Sequence, residues 1–191
     1  MTIETILSIC LGIGLAASVG FRVFLPLFAL SLAAYFNVWE LNESWSWIGG
    51  TTAVITFGIA TLVEILAYYI PVVDNVLDAI AIPLATIAGT AVMVSTVADL
   101  SPVITWALAI IAGGGTAAAI KSSVGATRLG STVSTAGIGN PVVSTVETGT
   151  SIVMSIVSIF LPVLAIILVM FICYIVFKLY KKLKSKQSKS S

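Results

Sequence analysis

The chain has 191 residues, of which 59% are hydrophobic and 9% charged, against about 25% charged in a soluble domain. This excludes a water-soluble globular protein, and the formal net charge of +1 gives no basis for nucleic-acid binding. Histidine is absent and the two cysteines, Cys10 and Cys173, stand alone in apolar segments, which argues against a disulfide framework or a His/Cys metal site.

A hydrocarbon core of about 30 Å takes about 20 helical residues to cross. In chain order the apolar runs are Ile3 to Val19, Val23 to Phe36, Thr51 to Ile70, Ala79 to Ala98, Val103 to Ile120 and Ser151 to Phe177. They predict an all-α polytopic membrane helix bundle with about five to seven transmembrane or re-entrant helices, residues 1–177 forming one transmembrane domain. The first run lacks the basic region of a secretion signal and reads as a retained helix. The second is too short to cross upright, so it forms either a re-entrant hairpin with the first or a span with a polar end. Pro26 is expected to loosen it. Trp39, Trp45 and Trp47 in the following connection read as interfacial anchors. Gly12 and Ala16, and Ala81, Ala85 and Gly89, are spaced to let helices approach closely, and Gly113 to Gly115 could break a helix.

Glu4, Glu40, Glu43 and Asp99 are expected at the surface. Within the apolar part, Glu64 lies inside a span, where an ionised group costs about 2.5–3.5 kcal/mol on insertion scales and normally faces a partner. Pro71 starts a new helix, and Asp74 and Asp78 follow on one face of it. Between Lys121 and Thr150 the sequence turns rich in Gly, Ser and Thr. An extramembrane loop and a segment folded back into the protein both fit. The second removes a conflict: if one last span separates Lys121 and Arg128 from the basic tail, they lie on the wrong side for the positive-inside tendency. As a helix the segment sets Lys121, Gly125 and Arg128 in one stripe. Asn140 and Pro141 read as an N-cap and first-turn pair, with Ser144 and Glu147 beyond. The text PVVDNVLD from Pro71 echoes PVVSTVET from Pro141, and GIGLAAS from Gly12 echoes GGGTAAA from Gly113. The echo suggests two repeats, about 3–98 and 103–177, with broken helices, as in many transporters; chance similarity in a Val/Ala-rich chain is the alternative.

Six of the nine basic residues follow Phe177. Residues 178–191 therefore read as a disordered cytoplasmic tail of a multi-pass protein, with anionic-lipid binding as the alternative.

The GFR element ending at Arg22, with Pro26, the pattern Glu64, Pro71, Asp74, Asp78 with Pro83, and the set Lys121, Arg128, Pro141, Ser144 and Glu147 together resemble a bacterial membrane-protein family, domain of unknown function 4126. The resemblance covers nearly the whole chain before the tail and implies the bacterial cytoplasmic membrane, but no activity. Thr148 stands where a second acid after Glu147 would be sought.

The residues lead to a small transporter or permeation protein, proton- or cation-linked. Glu64, Asp74, Asp78 and Glu147 would bind a small ion or polar solute, and Arg22, Lys121 and Arg128 would pair with them or hold an anionic group. Pro71, Asn140, Pro141 and Ser144 support the site. The bilayer and a second copy of the chain are the expected partners, and no cofactor motif appears. Two other classes compete: an enzyme acting on lipid phosphates with Mg²⁺ on Asp74 and Asp78, and an assembly factor in which the charges only hold helices together.

Overall fold

The hydroxyl of Thr2 accepts the Thr5 N–H and starts the first helix, and from there the described chain is helical with no strand. The computed structural model describes residues 2–98 and 100–187. Its helices are α1 (Ile3–Phe21), α2 (Phe24–Tyr35), α3 (Thr51–Ala67), α4 (Pro71–Thr96), α5 (Pro102–Leu108), α6 (Gly115–Thr135), α7 (Asn140–Phe160) and α8 (Pro162–Gln187). Among the described residues four helical stretches are long and apolar enough to cross a membrane, or five if a bent pair counts as one span. The protein is a polytopic helical membrane bundle.

Helix α1 is its axis. It packs on α4, α6, α7 and α8, and Leu11, Leu15 and Val19 join α2 and α4 residues such as Leu30 and Val92 in the main core. α7 runs against α1, sealed by hydroxyls: Ser18 Oγ donates to the Ser151 carbonyl at 2.8 Å and meets the Ser151 and Ser155 hydroxyls at 2.9 and 2.8 Å. Such contacts replace the hydrophobic drive that lipid cannot supply between helices.

α4 and α7 begin at one end of the bundle and finish at the other. Their far ends meet the 37–50 connection, where Asn42 N–H donates to the Ser95 carbonyl and Trp39 Nε1 to the Ile159 carbonyl at 2.8 Å. Trp39 is thus tied to a helix end, while Trp47 is exposed. A seven-residue 3₁₀ helix, Glu43–Gly49, leads into α3 at a 63° bend.

Several boundaries differ from expectation. α5 and α6 form one 34-residue stretch, because Ala109–Gly114 adopts a π turn that bends the hydrogen-bond ladder without breaking it. The segment from Lys121 to Thr150 is helix, not loop, folded back at a tight turn where Ala136 and Gly137 take positive φ. The run Ser151 to Phe177 is two helices: Pro162 ends α7 and starts α8 at Leu161. Ala165 lies beside Gly14, and Val169 clusters with Ala17 and Met154, so α8 returns parallel to α1. Its basic end therefore reaches the same end of the bundle as Lys121 and Arg128, which removes the charge conflict. α8 continues to Gln187, so the tail from Lys178 is helical that far instead of disordered; Lys and Leu are good helix formers. Residues 188–191 lie outside the described residues. Pro26 does not loosen α2, since it sits in the first turn where its missing N–H is not needed. Glu4, Glu40 and Glu43 are exposed; Asp99 lies outside the described residues.

A close backbone approach joins α4 to the π turn. A Cβ at Gly113 would stand 2.6 Å from the Gly89 carbonyl oxygen. Gly113→Val should destabilise the protein by about 1–3 kcal/mol through overpacking, read as a lower melting midpoint in detergent. Gly125→Ala, where a Cβ meets nothing within 4 Å, should instead stabilise the protein by about 0.5–1 kcal/mol and raise that midpoint.

Candidate functional site

α4 and α7, each opened by a proline, bring their N-terminal turns to one point, and Arg128 of α6 lies there. Its Nε and Nη2 donate to the two carboxylate oxygens of Glu147 at 2.7 and 2.6 Å, a bidentate fork of the strongest charge-assisted kind. Its Nη1 bonds Asp74 and lies 3.9 Å from Asp78. Arg128, Asp74 and Glu147 are all buried, whereas the Asp78 side chain keeps 29% exposure.

Arg22 sits in extended backbone between α1 and α2 (φ −136°, ψ 131°) and is fully buried. Its Nε donates to the Thr148 hydroxyl at 3.0 Å and its Nη2 to the Ser144 carbonyl at 2.9 Å and the Ser144 hydroxyl. Glu147 lies 3.8 Å away. Thr148, where an acid was sought, is therefore the acceptor for this arginine. Each arginine thus engages the third and seventh residues after a proline: Asp74 and Asp78 after Pro71, Ser144 and Thr148 after Pro141.

Lys121, one helical face from Arg128, is buried as well, and its Nζ reaches the Tyr68 hydroxyl at 3.3 Å. Tyr68 escaped the sequence reading, yet it is the hub of the cations. The Arg22 and Arg128 guanidiniums lie 4.2 and 4.4 Å from its ring centroid and Lys121 Nζ 5.3 Å, within the range of cation–π attraction. Its place at the end of a span, four residues after Glu64, was the available signal.

Two expected roles change. Glu64 forms no ion pair within 4 Å among the described residues; its carboxylate accepts the N–H groups of Val23 and Phe24 at 2.7 and 2.9 Å. These are orphan donors at the start of α2, and Val23 brings no side-chain cap of its own, so an acid on the neighbouring helix serves. Asn140 does not cap α7. Its Nδ2 turns to Asp74 at 3.3 Å and to the Thr132 hydroxyl at 3.1 Å, because Asp74 offers a buried second oxygen. Pro71 starts α4 as expected.

Asp74 and Asp78 both face Arg128, the position a bound Mg²⁺ would need. Among the described residues no group of three or more acidic or Cys side chains is disposed to hold a metal.

Two cavities share Tyr68 beside the cluster, apart from a third of about 270 Å³ that reaches Glu147. One of about 400 Å³ opens at the α6–α7 turn and is lined by Tyr68, Tyr69, Asp74, Thr132, Asn140 and Pro141. The other, of about 380 Å³, lies in the cleft between α3 and α4, with Phe24, Glu64, Tyr68, Leu77 and Ala81 in its walls.

The fold and this site define a membrane protein with a buried, charged cluster at one end of its helical bundle. More particularly, the chain belongs to the family described as domain of unknown function DUF4126, whose model matches residues 9–182. Neither the curated proteins nor the solved structures include a match.

Arg128→Met leaves Asp74 buried without its counter-charge and Glu147 with only the longer contact to Arg22, and should cost about 3–5 kcal/mol. Asp78→Asn, at a longer and partly exposed contact, should cost less than about 1 kcal/mol. Melting midpoints of the two variants in one detergent check the contrast.

Proposed function

We propose that the protein is a small proton- or cation-linked transporter whose working element is the Arg128–Asp74–Glu147 network. The observation that carries this reading is the burial of Arg22, Lys121 and Arg128 with Glu64, Asp74 and Glu147 in one apolar bundle, beside a cavity that reaches Asp74. Ionisable groups buried among membrane helices mark ion and proton paths, and holding helices together does not require them, because apolar replacements of a buried ion pair are commonly as stable.

In this reading Asp74 meets the proton or cation first, since it lines the cavity and Asp78 is its partly exposed neighbour. Neutralising Asp74 removes one of the two close carboxylates on Arg128 and leaves the Glu147 fork. α4 and the α6–α7 hairpin are joined there by that arginine and by the Asn140–Asp74 bond, so protonation biases their relative position between two arrangements. The hydroxyls of Ser144, Thr148, Ser151, Ser155 and Ser158 continue along α7 from the cluster and offer polar groups deeper in the bundle.

The common direction of α4 and α7, and the matched positions that their arginines engage, support a two-repeat organisation about a shared centre. We place the protein in the bacterial cytoplasmic membrane with the C-terminus inside, supported by the basic residues of α8 at the same end as the cluster. A homo-oligomer is part of the proposal, because few helices are available to enclose a path.

Proteoliposomes loaded with a pH-sensitive dye test it. The wild-type protein should carry protons or a monovalent cation down an imposed gradient, and Asp74→Asn should slow this by about tenfold or more, the effect of about 1.4 kcal/mol on a barrier. Undiminished flux in a folded Asp74→Asn protein would remove Asp74 from the mechanism.

A further inference from the structure

The donors and acceptors of the cluster do not balance. The carboxylates of Asp74, Asp78 and Glu147 gather on Arg128, and that of Glu64 is occupied by backbone N–H groups. This leaves two cations poorly matched. Among the described residues Arg22 Nη1 has no hydrogen-bond partner although the side chain is completely buried. Lys121, 2% exposed, has three donors and, among the described residues, a single neutral partner, the Tyr68 hydroxyl. A buried charge with incomplete compensation is costly: Arg22 Nη2 lies 3.8 Å from the Glu147 carboxylate, which already pairs with Arg128, and Arg22 and Lys121 face the same aromatic ring, at 4.2 and 5.3 Å from its centroid.

We propose that Arg22 Nη1, Lys121 Nζ and the Tyr68 hydroxyl form a binding site for an oxyanion group, a phosphate or carboxylate. An oxyanion supplies what these donors lack: several acceptor lone pairs and a negative charge. Arginine and lysine bind such groups through short, charge-assisted hydrogen bonds. Tyr68 lines both cavities, whereas Arg22 and Lys121 line neither, so two sources can present the group at the Tyr68 side of the site. A free anion enters from the cavity at the α6–α7 turn. A lipid headgroup enters from the cleft between α3 and α4, whose walls are mostly apolar and suit an acyl chain. The inference deepens the transport reading by naming a passenger: a small oxyanion carried with the proton that Asp74 accepts.

The test is binding, independent of flux. Full-length protein, delipidated in neutral detergent, is titrated with inorganic phosphate against chloride at matched ionic strength. In parallel it is reconstituted in nanodiscs of phosphatidylcholine with and without phosphatidylglycerol, and the melting midpoint is followed in each. A rise with phosphate identifies a free oxyanion; a rise only with phosphatidylglycerol identifies the headgroup; either supports the site. Lys121→Gln should abolish the rise while Lys178→Gln, in the exposed basic end of α8, keeps it. Tyr68→Phe removes only the hydroxyl and serves if Lys121→Gln does not fold; it should weaken the apparent affinity by about tenfold, the scale of one hydrogen bond to a charged group. No rise with either probe, an equal rise in Lys121→Gln, or unchanged affinity in Tyr68→Phe overturns the proposal. Binding without any flux would sink the transport reading and leave this site standing, whereas proton or cation flux without oxyanion binding would do the reverse.

Discussion

A guanidinium cannot stay ionised inside an apolar bundle without acceptors, and the demand of Arg128 for them organises this molecule. The fork to Glu147 and the bond to Asp74 require the N-terminal turns of α7 and α4 to meet beside α6. Pro71 and Pro141 suit those turns because a helix start has no use for the N–H that proline lacks. Once α4 and α7 begin together, they run the same way, and the tight α6–α7 turn must fold the Lys121 to Thr150 segment back into the bundle. Arg22 meets the same demand differently, on hydroxyls and a carbonyl of α7, so the two arginines fasten α4 and α7 at matched positions.

The sequence conveyed the parts of this that depend on composition and local spacing. The apolar runs located α1, α2 and α3 to within a few residues, and prolines marked the starts of α4 and α7. The seven interior charges were picked out because a charge in an apolar run has few inexpensive explanations. Spacing alone also placed Lys121 and Arg128 on one helical face, and both point inward.

What escaped depends on tertiary neighbours. Tyr68 looks in the sequence like any aromatic at the end of a span; only the fold brings three cations to its ring. Glu64 was assigned a cationic partner because backbone donors carry no sequence signal, and nothing local reveals that α2 opens with uncapped N–H groups beside it. Asn140 has the composition of an N-cap, but the second oxygen of Asp74 competes for its amide. The break at Leu161 was lost in an apolar run whose hydropathy outweighed one proline, and of the α7 hydroxyls only Ser144 was picked out, because others such as Ser151 and Ser155 acquire partners only where α1 lies against them.

A brace and a working site make opposite demands on these charges. A brace can be exchanged for well-packed apolar side chains with little loss, whereas a transport site cannot give up its titrating groups. The direct measurement is gradient-driven flux through a folded variant in which Asp74→Leu, Arg128→Met and Glu147→Leu are combined, with its melting midpoint taken alongside. The account predicts a protein of near wild-type stability that carries nothing. Flux at the wild-type rate through that apolar variant would contradict it.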